Sequence, residues 1–252
     1  MKSLKILIVL LIAVQSFSAC KKDPVSHPLI PPVFEKTDYK VLFVGNSYTY
    51  YNDGVDYHLQ QMLKADSSSD SINYDIQKIA IGSYTLEAHY ADPLTITRIK
   101  SEKWNTVVLQ EQSTRPINNP ELFIEYARYL DAEIKKVNAK TVLYMTWPNK
   151  DTPSDMDSLA ACYQLVGRQL NAPVAPVGKV REYIQNTYPQ IELYISDNKH
   201  PTLSGTYVSA CVFYSILAKK NPVKNTYVPS GMSIENAVVI RKAVNDYLIL
   251  NP

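Results

Sequence analysis

Three side chains offer the most pointed chemistry in this sequence. Ser47 closes Gly45-Asn46-Ser47 at the end of the apolar run Val41–Val44, and Asp197 and His200 lie three residues apart just after the apolar run Ile191–Ile195. A hydroxyl becomes a nucleophile when an imidazole takes its proton. A carboxylate beside that imidazole fixes its tautomer and stabilises its charged form. Each piece has a plainer reading. Ser47 is equally suited to capping a helix or turning the chain. Asp-x-x-His also suits a loop hydrogen bond or a metal site, but His27, His58 and His89 do not cluster with His200 at ligand-like spacing and cysteine is scarce. No metal and no cofactor is expected.

Other groups could complete such a site. Gly82 follows the run Tyr74–Ile81, where it either satisfies a positive φ or brings a bare amide close to an oxyanion. Gln110 and Gln112 follow Thr106–Leu109, and an amide NH2 there could donate to the same oxyanion. Strand alternation would put these two on one face and Glu111 on the other, with Arg115 as a candidate partner for Glu111. Asn46, Tyr48 and Trp147 are candidates for a substrate rim, since aromatic rings stack on sugars; with 19 tyrosines in the chain, packing explains any one of them about equally well.

Such groups need a scaffold that brings distant segments together. Strand-like runs fall at Tyr39–Val44, Tyr74–Ile81, Thr106–Leu109, Thr141–Met145 and Glu192–Ile195. Helical periodicity marks Asp53–Lys64, Leu94–Ser101, Pro120–Val137, Ser154–Leu170, Gly178–Tyr188, Thr202–Lys219 and Ser233–Leu250. Short, continuously apolar strands alternating with helices predict an α/β fold: a three-layer α/β/α sandwich, flavodoxin-like, with a mainly parallel sheet of about five strands. Ligands bind such sheets beyond the carboxyl ends of the strands, where all the candidate residues lie.

The N-terminus reads differently. Lys2 and Lys5, the apolar run Ile6–Val14 and Ser18-Ala19 before Cys20 have the layout of a signal peptide over residues 1–19. The Cys20 position resembles the bacterial lipoprotein signal, which predicts lipidation of Cys20 and a Pro-rich tether over 20–36. One domain over 37–252 follows. The expected location is therefore outside the cytoplasm, anchored to the outer membrane and facing the periplasm or the cell surface, with the membrane contacted only through the lipid. Net charge is +2 and no basic block occurs, so nucleic acid is not an expected partner. Cys162 and Cys211 are read as two buried thiols.

Taken together, Val-Leu-Phe-Val-Gly-Asn-Ser (41–47), Ile-Gly-Ser-Tyr (81–84), Val-Val-Leu-Gln-Glu-Gln-Ser (107–113) and Asp-Asn-Lys-His-Pro (197–201) resemble the ordered blocks of the SGNH (GDSL-type) hydrolases. The resemblance covers about residues 39–219, and is to a lipoprotein branch with Gly-Asn-Ser and Gln-Glu-Gln-Ser blocks. It implies Ser47 as nucleophile, His200 as base, Asp197 as its orienting acid, and the Ser47 and Gly82 amides as oxyanion donors. Two departures stand out. Asn46 replaces the usual Asp, and the family's Gly-x-Asn-Asp is absent, leaving Gln112, or second Gln110, as side-chain donor. The expected activity is that of a serine esterase removing acetyl or other short acyl groups from carbohydrates. The alternatives are a glycan-binding lipoprotein with weak or no catalysis, and a lipase or thioesterase.

Overall fold

The structure is a computed structural model and describes residues 37–66 and 72–251. The expected signal peptide (1–19), Cys20 and the expected 20–36 tether lie outside the described residues. In chain order the elements that matter for the site are β1 (Thr37–Gly45), α1 (Ser47–Tyr50), α2 (Val55–Ala65), β2 (Ile72–Ala80), α3 (Leu86–Ala91), α4 (Pro93–Ser101), β3 (Thr106–Leu109), α5 (Arg115–Asn118), α6 (Pro120–Lys136), β4 (Lys140–Tyr144), α7 (Asp155–Leu170), β5 (Val174–Ala175), α8 (Val177–Thr187), α9 (Leu203–Leu217) and α10 (Ile234–Leu250).

The five strands form one parallel sheet in the order β2-β1-β3-β4-β5. Alternate residues feed two separate cores, as the pleat requires. Val41, Phe43, Val108, Val142 and Tyr144 pack against α2, α8, α9 and α10. Leu42, Val44, Val107, Leu109 and Leu143 face α3, α4, α6 and α7. Both faces are covered, which is why the central strands are unbroken apolar runs rather than alternating ones. The chain leaves β1 for β2 on one side and returns to β3 on the other, so the sheet's switch point lies between β1 and β3. The ends of these two strands open into the crevice where such sheets bind ligands.

One strand assignment is corrected. The fifth strand is Val174–Ala175, not Glu192–Ile195. Pro173 and Pro176 bracket it, and prolines are tolerated because this is an edge strand whose carbonyls do the pairing: Leu143 N donates to Pro173 O and Met145 N to Ala175 O. Segment 192–195 instead runs antiparallel to 200–202 through a single bridge, Tyr194 to Pro201, forming an arm outside the sheet. No helix among the described residues is long and apolar enough to cross a membrane. Cys162 and Cys211 are both free thiols; Cys211 is buried, whereas Cys162, against expectation, is only partly buried.

Candidate active site

Ser47 is the first residue of α1, immediately after β1. The helix is capped by Asn46, whose Oδ1 accepts from Tyr48 N at 3.1 Å. Capping therefore falls to Asn46, and the Ser47 hydroxyl is left for other work. Ser47 Oγ lies 2.9 Å from His200 Nε2, and His200 Nδ1 lies 2.5 Å from Asp197 Oδ2. An ionised carboxylate can only accept, so Nδ1 carries the proton and Nε2 is the acceptor that faces the Ser47 hydroxyl. Burial opposes the charge on Asp197. The His200 ring and the backbone N–H groups of His200 and Lys199, each 2.9 Å from Oδ1, outweigh it and bring the Asp197 pKa down to about 2.

The arm carrying Asp197 and His200 is held from several sides. Lys150 N donates to Asn198 O, Trp147 Nε1 donates to Lys199 O, and Asn198 takes a left-handed φ of 59°. Asn52, just past α1, donates from Nδ2 to Pro201 O and to Thr206 Oγ1. The Tyr51 ring stacks on His200 with centroids 4.5 Å apart and planes at 10°. These contacts limit the freedom of the imidazole relative to the hydroxyl, a form of preorganisation.

The two glutamines have different places. Gln110 is fully buried. Its Nε2 donates to Asn46 Oδ1 and Glu111 O, and its Oε1 accepts from Asn46 N and Thr49 Oγ1. Both amide hydrogens are used, so Gln110 cannot donate to a substrate in this arrangement and serves as a clamp on the Ser47 turn. Gln112 folds back on its own loop. Its Oε1 accepts from Thr114 N and Arg115 N, and its Nε2 donates to Ser113 Oγ at 3.2 Å, which leaves one amide hydrogen uncommitted among these contacts. The backbone bonds that close the neighbouring turns use other amides: Thr49 N donates to Asn46 O and Tyr84 N to Ile81 O, so the Ser47 and Gly82 N–H groups are not spent on them. Gly82 does not have the positive φ one reading gave it; Ser83 does, at 64°.

The rim expectation is corrected. Asn46, Tyr48 and Trp147 are 3, 4 and 1 % exposed. Tyr48 and Trp147 stack face to face at 4.2 Å, and the buried Arg181 guanidinium lies 3.8 Å from the Trp147 ring centre. They are the floor beneath the site. The partly exposed rings near the Ser47 turn are Tyr50 and Tyr51, with Tyr51 stacked on His200 and on Tyr50, whereas the Tyr84 ring packs edge-on against His89. Arg115 pairs with Glu87 at 2.9 Å rather than with Glu111.

Sequence reading also missed a histidine. His89 is buried in α3; its Nε2 donates to Gly45 O at 2.8 Å, which makes Nδ1 the acceptor for Thr95 Oγ1. Gly45 O also receives Ile81 N, so two donors fix the carbonyl that precedes the Ser47 turn. Gly45 itself is required by close approach. A methyl group there would lie 2.5 Å from both Gln110 Oε1 and Thr49 Oγ1. Only the partners of Gly45 O reveal the role of His89, and they are remote in sequence.

No family model matches the chain, and no curated protein matches it. Solved structures do. A DUF4886 family protein from Bacteroides uniformis superimposes with a TM-score of 0.68 at 16 % identity, covering 84 % of this chain and 95 % of that one. A candidate SGNH hydrolase from Slackia heliotrinireducens gives 0.61 at 23 % identity, over 72 % of this chain and 100 % of its own. An acetyl xylan esterase gives 0.57 at 17 % identity, over 71 % and 99 %. The chain has the SGNH hydrolase fold.

Proposed function

We propose that this protein is a serine hydrolase acting on esters, and that it removes acetyl or other short acyl groups from carbohydrates. One observation carries the reading: an unbroken line of hydrogen-bonding distances from Ser47 Oγ through His200 to Asp197, placed at the switch point of the sheet. In the mechanism this line supports, Ser47 Oγ attacks the ester carbonyl while His200 Nε2 takes its proton. Asp197 stabilises the imidazolium. The proton then passes to the departing alkoxide, water repeats the sequence on the acyl-enzyme, and the acid is released. The Ser47 and Gly82 amides and Gln112 Nε2 hold the oxyanion.

The carbohydrate part of the proposal draws on the partly exposed side chains of Tyr50 and Tyr51 next to His200 and on the structural likeness to an acetyl xylan esterase. Lipid anchoring through Cys20 belongs to the same proposal and would place the enzyme beside envelope or extracellular glycans. The test is hydrolysis of short acyl esters and release of acetate from acetylated polysaccharide by the purified full chain, compared with Ser47→Ala and His200→Ala. Equal rates in parent and variants would refute it. Release of long fatty acids with no acetate would redirect the substrate class to lipids.

A further inference from the structure

Glu111 ends the run after β3 and takes no part in the reaction described above, yet it is fully buried. Its Oε1 accepts two backbone hydrogen bonds, from Leu86 N at 3.1 Å and Gln112 N at 2.6 Å. Its Oε2 is buried and has no hydrogen-bond partner among the described residues. A buried carboxyl without a cation partner is unfavourable and calls for a reason. Its surroundings supply no neutralising group: Arg115 on α5 is engaged with Glu87 on α3, and the other titratable neighbours, Cys162 and Tyr163 on α7, bring no positive charge. Burial lifts the Glu111 pKa to about 7 against the pull of the two amides and Arg115.

The two amides that Glu111 joins explain its place. Leu86 begins α3, directly after the turn that carries Gly82. Gln112 N belongs to the residue with the uncommitted amide hydrogen. Leu86 and Gln112 are 26 residues apart in sequence, and their segments carry Gly82 and Gln112, two of the three oxyanion donors of the esterase reading. We propose that Glu111 is a positioning residue: through one carboxyl oxygen it ties the Gly82 segment to the Gln112 segment and fixes the spacing of the donors around Ser47. This rests on the esterase reading. Deleting the brace should leave substrate binding largely intact and slow the chemical step, because misplaced donors serve the transition state poorly.

The test uses the full chain with Glu111→Gln and Glu111→Met. Glutamine keeps an oxygen that can accept both amides; methionine fills the volume and accepts neither. Glu111→Met is expected to lower kcat about tenfold or more with KM within about threefold, and Glu111→Gln to stay within about threefold of the parent. Amide exchange at Leu86 and Gln112 should accelerate in Glu111→Met and not in Glu111→Gln. A folded Glu111→Met with parental kcat and exchange would overturn the proposal, as would a Glu111→Gln as impaired as Glu111→Met. If Glu111→Met does not fold, Glu111→Asp, too short to reach both amides, carries the test, and parental kcat there overturns it. If the parent hydrolyses no ester, the esterase reading fails, and the exchange rates still decide whether Glu111 braces the two segments.

Discussion

Asn46 and Gln110 hold each other in both directions: Gln110 Nε2 donates to Asn46 Oδ1 at 2.9 Å, and Asn46 N donates to Gln110 Oε1 at 2.8 Å. Asn46 Nδ2 also donates to Tyr84 O. This pairing accounts for one departure from the SGNH blocks, the Asn that stands at 46 in place of the usual Asp. An Asp at 46 would have no hydrogen for Tyr84 O and would set a buried carboxylate against a carbonyl. Asn46→Asp is expected to destabilise the protein by about 1–3 kcal/mol, seen as a lower denaturant midpoint, with a parallel loss of ester hydrolysis.

Replacing the two glutamines should separate clamp from donor. Gln110→Ala strips hydrogen bonds from three partners at the nucleophile turn and should lower both stability, by about 1–3 kcal/mol, and kcat. Gln112→Ala, at a partly exposed loop, removes the acceptor for Thr114 N and Arg115 N and should cost about 0.5–1 kcal/mol, less than Gln110→Ala, while lowering kcat by about a hundredfold, the usual size of a lost oxyanion donor. Thermal melts beside steady-state kinetics distinguish the two patterns. Similar melts and similar kcat losses for both variants would contradict the division of labour.

Asp197→Asn should lower kcat by about a hundredfold, less than His200→Ala, because the carboxylate is exposed and its field is partly screened. With a pKa of about 2, Asp197 is ionised across the working range. Its ionised form also stabilises the fold above the unfolded carboxylate pKa of about 4, a contribution lost as pH falls toward 2.

Stability should depend on pH through three buried groups that work in opposite directions. Burial lowers the pKa of His58 and His89. The unfolded chain then binds protons the native state refuses, so stability falls as pH drops below about 6.5. Glu111 behaves inversely, since its pKa is raised to about 7. The native state keeps a proton that the unfolded chain releases from about pH 4.5 upward, and stability is lost as pH rises through 7, by up to about 3 kcal/mol. Glu111→Gln should remove that loss, raising Tm at pH 8 relative to the parent more than at pH 5. Melting curves across pH 5–8 for parent, Glu111→Gln and His89→Gln check both signs.

Much of this arrangement was legible in the sequence, for identifiable reasons. The three central strands, β1, β3 and β4, carry apolar runs, and burial on both faces writes itself directly into composition. Ser47 stood out because it follows such a run, and Asp197 and His200 because they follow the apolar segment Ile191–Ile195. The fifth strand was misread because Val174–Ala175 is only two residues between prolines, whereas Ile191–Ile195 has strand composition while serving as one side of an arm. Tyr48 and Trp147 were assigned to a rim because sequence does not say which ring turns inward. Gln110, Glu111 and His89 owe their roles to partners 25 to 64 residues away, and no local pattern encodes such pairings.

The arm bearing Asp197 and His200 lies outside the sheet, hung from Trp147, Lys150 and Asn52. Ser47 is rooted at the end of β1, a strand paired on both sides within the sheet. The two halves of the proposed triad therefore belong to parts of the molecule with unequal resistance to opening. On warming, the arm should detach while the sheet stays intact, so enzymatic inactivation would precede the loss of circular dichroism and reverse on cooling. The protein would then have a thermal off-state that is still folded.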